Sequence, residues 1–322
     1  MRRESRQTIT VQLARVQRYH EGGSYTDAEA YTRAGYNGGK FRLRTSDRWI
    51  DFAPDGRNLV TGKPGKGYGL EIETECRGIT IESILANVLE KIVFPAFPEG
   101  LFKLQHDGSL GGQTSAECIT QPMTKEAVRN LYPAFKAMYN DYFPAFGISC
   151  AASGNCGMHV NISTACFGIT EEAQAEAIRK LYYIINHHFR LFANLLNRDP
   201  DNTTYCAQMD ASRARTMSLS GRGSDHYCSF NLGHYDAGRI ELRLVGGQKD
   251  YAAFRNTMET VFHLVERVKK ISWKQLDDVA AIFAGCNQYV ADRVKSHGYG
   301  RGLVTREQWE AIQLDVKPET LL

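Results

Sequence analysis

From Leu70 to Glu75 the chain reads LEIETE, with glutamates at every second position, the period-two pattern of a strand whose two faces differ chemically. The stretch ITIESILANVLEKIVFPAF follows, and its Ile, Leu and Val spacing predicts an amphipathic helix opening near Thr80. FKLQHDGSL predicts a strand running into a turn, and TSAECITQP another strand. Thr124 to Phe143 predicts a helix with a Thr-x-x-Ala start. ISCAASGNCGMHVNIS is a glycine-broken loop leading into a strand. Thr170 to about Arg198 predicts one long helix, with Leu181, Ile184, Ile185, Phe189 and Phe192 at helical spacing. HYCSFNLG and AGRIELRLVG read as two strands of a hairpin around HYDAG. Tyr251 to Lys270 predicts a helix, a further helix runs through the 270s and 280s, and a short segment starts at Thr305. Strands interleaved with long helices and joined partly by hairpins predict an α+β fold with an antiparallel sheet.

Before Gly67 the pattern changes. Met1 to Lys66 is polar, rich in Arg, Tyr, Gly and Asp, and ends in the turn-forming run DGRNLVTGKPGKGYG. The expected division is therefore an N-terminal extension or small accessory region over 1–66 and one catalytic domain over 67–322. Of the 322 residues, 43% are hydrophobic and 23% charged, enough apolar material for a core. A net charge of +3 is too near balance for a nucleic-acid partner bound through its phosphates. No stretch approaches the ~20 apolar residues of a membrane span, and no apolar run follows the N-terminal arginines as a secretory signal would require. The eight cysteines include no CxxC pair, so a reducing cytoplasm is the simpler expectation.

Chemistry concentrates on three strand patterns. Side chains two apart share a face, so Glu71, Glu73 and Glu75 would project together, opposite Leu70, Ile72 and Thr74. Three carboxylates on one face repel one another unless a hard cation such as Mg²⁺ or Mn²⁺ compensates; a solvated edge strand is the alternative. By the same period, His159, Asn161 and Ser163 share a face in MHVNIS, and Arg239, Glu241 and Arg243 share one in RIELR. In HDGSL a turn holds Asp107 and Ser109, and Glu117 follows ten residues after Asp107. If these strands are neighbours, carboxylates and imidazole form a floor for metal, beside guanidinium groups suited to phosphate and carboxylate. Arg213, Arg215 and Arg222 lie in a polar loop, and Gly221 and Gly223 flank Arg222, giving it the freedom to meet an anionic ligand. His187 and His188 lie in an apolar-patterned helix, where one is expected to pack or cap and the other to be wet. Cys156 reads as a small buried residue, since no activating His and Asp are specified for it.

Taken in order, ExE, DGS with a following Glu, GMHVN after a Gly-rich loop, and a late RxExR strand resemble the glutamine synthetase and glutamate-cysteine ligase superfamily, in its amidoligase branch. The resemblance covers roughly Gly67 to Val265. It implies a glutamine synthetase-like sheet with the active site on one face and helices on the other. It implies Glu71, Glu73, Glu117, His159 and Glu241 as ligands of Mg²⁺, with Mn²⁺ an alternative. Asp107, Arg239 and Arg243 would serve catalysis, and Ser109, Asn161, Arg222 and Asn231 would meet substrate. Where amidoligases often carry a second His, this chain has Asn161. The implied reaction joins a carboxylate to an amine through an acyl-phosphate made from ATP, with an amino acid or peptide as substrate. A phosphotransferase of the guanidino-kinase kind, or an inactive peptide- or nucleotide-binding module, are the alternatives.

Overall fold

A computed structural model describes residues 40–42, 49–51, 67–76, 85, 88–97, 101–105, 114–120, 122–151, 156–202, 204–222, 227–312 and 314. Most of the expected N-terminal extension, and the Asp107–Ser109 turn, lie outside them. Mixed helix and strand with an antiparallel open sheet bear out the α+β expectation. The residues divide into two compact units, one ending at Asn161 and taking in Gly247–Tyr251, the other comprising Ile162–Gly246 and Ala252 onward. Among the described residues no helix is long and apolar enough to cross a membrane.

In the first unit β1 (Lys40–Arg42) and β2 (Trp49–Asp51) form an antiparallel pair. The main strands are β3 (Tyr68–Cys76), β4 (Phe102–Gln105), β5 (Thr114–Thr120), β6 (Ile148–Ser149) and β7 (Met158–Ser163), whose last two residues fall in the second unit. The order is β4-β5-β3-β7, with β6 pairing the end of β3. LEIETE is thus no solvated edge. β5 lines one side of it, with Glu71 opposite Ile119, Glu73 opposite Glu117 and Glu75 opposite Ser115, while β7 and β6 cover the other. Leu70, Ile72 and Thr74 are wholly buried, and Thr74 donates to the Ala116 carbonyl. Beside this apolar face, Phe94 stacks on Phe102 with ring centres 4.6 Å apart, and Phe97 meets both Phe102 and Phe135 edge-on.

The expected Thr124–Phe143 helix begins as read, with the Thr124 hydroxyl accepting from the Ala127 amide, but it runs in pieces. These are α1 (Lys125–Asn130), α2 (Tyr132–Ala137), a π turn at Met138–Tyr142 and α3 (Phe143–Phe146). Pro133 and Pro144 sit in the first turns of α2 and α3, where the missing amide costs least; within one continuous helix each would break the ladder.

In the second unit α4 (Glu171–His187) starts at the Thr170 cap, and the helix is interrupted at His188 before α5 (Phe189–Leu195). Its apolar stripe packs as the spacing requires, with Leu181, Ile184, Ile185 and Phe192 no more than 1% exposed. β8 (Phe230–Asn231) and β9 (Arg239–Leu242) form the expected hairpin, pairing Asn231 with Glu241. Within the HYDAG connection, Gly238 takes the left-handed conformation that favours glycine. α6 (Tyr251–Val268) is the long helix read there. The expected helix through the 270s and 280s is instead a 3₁₀ turn at Trp273–Gln275, α7 (Val279–Phe283) and α8 (Gln288–Arg293), separated in part by the left-handed Gly285. α9 (Arg306–Glu310) carries a capping box from Thr305 to Gln308.

A candidate metal centre on the first unit's sheet

Strand alternation puts Glu71 and Glu73 on one face of β3, and the neighbouring strands bring Glu117 and His159 to them. One ligand atom from each of Glu71, Glu117 and His159 lies within 4.8 Å of the others. His159 is buried, and each of its ring nitrogens faces a carboxylate: Nδ1 lies 3.2 Å from Glu71 Oε2 and Nε2 3.6 Å from Glu73 Oε1. Asn161 donates from Nδ2 to the other Glu71 oxygen at 2.8 Å. The residue two after the histidine thus holds the Glu71 carboxylate in place. That contact depends on β7 lying beside β3, which no local pattern specifies.

Glu73, whose Oε1 faces His159, is also held from outside this set. Its Oε2 accepts from the Gly157 amide, and its backbone amide donates to the Gly157 carbonyl. Side chain and backbone together therefore fix the residue that opens β7. Glu75 is buried further along the same strand. The loop ends are tightly stacked, since Gly247 donates to the Cys156 carbonyl and passes so close to Cys150 that an added Cβ would lie 1.5 Å from its carbonyl oxygen. Burial pushes the Cys150 thiol well above its usual range. Cys156, beside Gly157, is buried as read.

The expected residues of the RIELR strand belong to the second unit. There Glu241 is 4% exposed and engaged through both oxygens, Oε2 accepting from Asn231 Nδ2 at 2.8 Å and Oε1 from Arg243 Nη1 at 2.6 Å. Asn231 is wholly buried, and its own oxygen accepts from the Gly233 amide. It is thus a neighbour that orients Glu241, a role set by cross-strand register. Arg239 stands at the start of β9, half-buried. Arg222 donates from Nε to the Ser218 carbonyl of its own loop. His188 packs and bonds to the Leu276 carbonyl, whereas His187 is exposed, as one packed and one wet histidine require. No family model matches the chain, and no curated protein matches it.

Proposed function

We propose that the chain is an ATP-dependent carboxylate-amine ligase of the amidoligase type, using Mg²⁺ or Mn²⁺ on a glutamine synthetase-like sheet. The observation that carries this reading is the convergence of Glu71, Glu117 and His159 from three neighbouring strands. Ligands about 2.1 Å from a six-coordinate cation stand roughly 3 to 4 Å apart, and atoms already within 4.8 Å of one another reach that spacing by small side-chain rotations. Two carboxylates suit Mg²⁺, and the added imidazole suits Mn²⁺ as well. A cation held there would supply positive charge to phosphate oxygens during phosphoryl transfer.

The protein's own groups divide the remaining work. Asn161 holds Glu71, and Glu73 holds Gly157 and so the strand that carries His159. Arg243, steadied on Glu241, offers a planar fork of donors to a phosphoryl or carboxylate group. Arg239, Asp107 and Ser109 join the reading through the sequence resemblance, and Arg222 through the glycines that flank it. A substrate carboxylate activated as its acyl-phosphate is attacked by the amine of an amino acid or peptide, so no protein nucleophile is required. ADP release measured with Mg²⁺ or Mn²⁺ against mixed amino acids and peptides tests this. ADP and free phosphate are expected only when an amine is present; a stable phosphorylated product would replace the ligase by a phosphotransferase, and no turnover with any acceptor would overturn it.

A further inference from the structure

We propose that Arg198, in the second unit, anchors a site for a small oxyanion, a phosphate or a carboxylate. Arg198 follows α5 directly after Asn197, whose positive φ of 63° turns the chain. Its amide donates to the Ala193 carbonyl, closing the helix end. The side chain is 7% exposed. Nη2 donates to the Val245 carbonyl at 2.9 Å, while the buried Nε has no hydrogen-bond partner among the described residues. Nor does any carboxylate among them pair with it.

A guanidinium stays charged in any protein environment and carries five N–H donors. Burying one against a single carbonyl is costly unless an opposite charge comes to meet it. The carbonyls at the end of a two-turn helix offset only part of that cost. A second guanidinium adds to the excess. Cys206 is wholly buried, and burial pushes its thiol up while Arg198 and Arg243 both pull against that shift. The thiol therefore stays neutral and is no counterion. Glu241, already engaged by Arg243 and Asn231, balances one positive charge of the two. The remaining charge, planar and supplied with unspent donors, matches the paired oxygens of a phosphate or carboxylate. This assignment stands on burial and charge and does not require the ligase reading.

The test uses the full chain without ATP or divalent cation, titrated with inorganic phosphate and separately with glutamate, by calorimetry and thermal unfolding. Saturable binding and a rise in Tm are expected for one of the two, which identifies the source of the oxyanion. Arg198→Met should bind on the order of 10- to 100-fold more weakly, the loss of a charge-assisted hydrogen-bonded pair. Its ligand-free Tm should be unchanged or higher, because an uncompensated charge has gone. Wild-type protein that binds neither anion, or Arg198→Met that binds as tightly as wild type, would overturn the proposal and leave Arg198 as a cap of α5. If the Met variant does not fold, Arg198→Lys decides by the same comparison, since it keeps the charge but loses the fork. Amine-dependent ADP release, assayed separately, succeeds or fails independently of this result.

Discussion

At the scale of single residues, burial decides which groups carry a measurable load. His188 is half-buried, and burial lowers its pKa below the ordinary imidazole value of about 6.5, outweighing the hydrogen bond to the Leu276 carbonyl. A folded value below the unfolded one means that the unfolded chain binds the extra proton first. The stability His188 contributes is therefore complete above pH ~6.5 and is lost as pH falls towards the lower folded value. Urea unfolding across pH 7.5 to 5 should show that decline in wild type and a flatter one in His188→Gln. Arg243 poses a question of geometry, since its Nη1 is already 2.6 Å from Glu241. Under the ligase reading Arg243→Lys keeps the charge and loses the planar fork, so kcat should fall about 10²- to 10³-fold at saturating ATP. Normal turnover with collapsed ATP affinity would make it a nucleotide anchor instead.

At the scale of elements, close backbone approach fixes what the site is built on. Gly247 crosses Cys150 and Cys156, and any Cβ there would collide with the Cys150 carbonyl, a group that cannot swing aside. Gly247→Ala should therefore cost about 3 kcal/mol or more, read as a fall in urea midpoint. The matched control is Gly300→Ala, where the nearest atom, the Lys295 carbonyl oxygen, would be 3.4 Å away, and its midpoint should move far less. The helices make the complementary point. Thr124 and Thr170 cap as their sequence context requires, yet Pro133 divides the helix predicted over Thr124–Phe143, and the helix predicted through the 270s and 280s is divided in part by the left-handed Gly285.

For the molecule as a whole, a cation that binds only the folded chain adds stability by mass action, about 2.7 kcal/mol at one hundred times Kd. Mn²⁺ should accordingly raise the wild-type Tm, EDTA should reverse the rise, and Glu71→Gln combined with Glu117→Gln should abolish it. In metal-free buffer that double variant should be no less stable than wild type, because it relieves repulsion between carboxylates. A Tm unmoved by Mn²⁺ in wild type would remove the support for the metal reading, whatever the fate of the Arg198 site.

The sequence by itself determined the α+β class, the strands of the sheet other than the two-residue β6, and the residues that share a face, because backbone pleat and helical pitch are local properties that write their periods directly into the chain. It marked Glu71 and His159 for the same reason, Glu117 by its place ten residues after the Asp107 turn, and the hairpin that joins Asn231 to Glu241. Only the tertiary structure decided that β3 is flanked on both sides, that Asn161 holds Glu71, and that Glu73 is engaged with the Gly157 backbone. It alone showed that Arg198, an unremarked arginine at the end of a helical pattern, is buried. These depend on which distant strands become neighbours and on where loops cross. Long-range pairing and side-chain packing set such contacts, and a period along the chain carries no record of them.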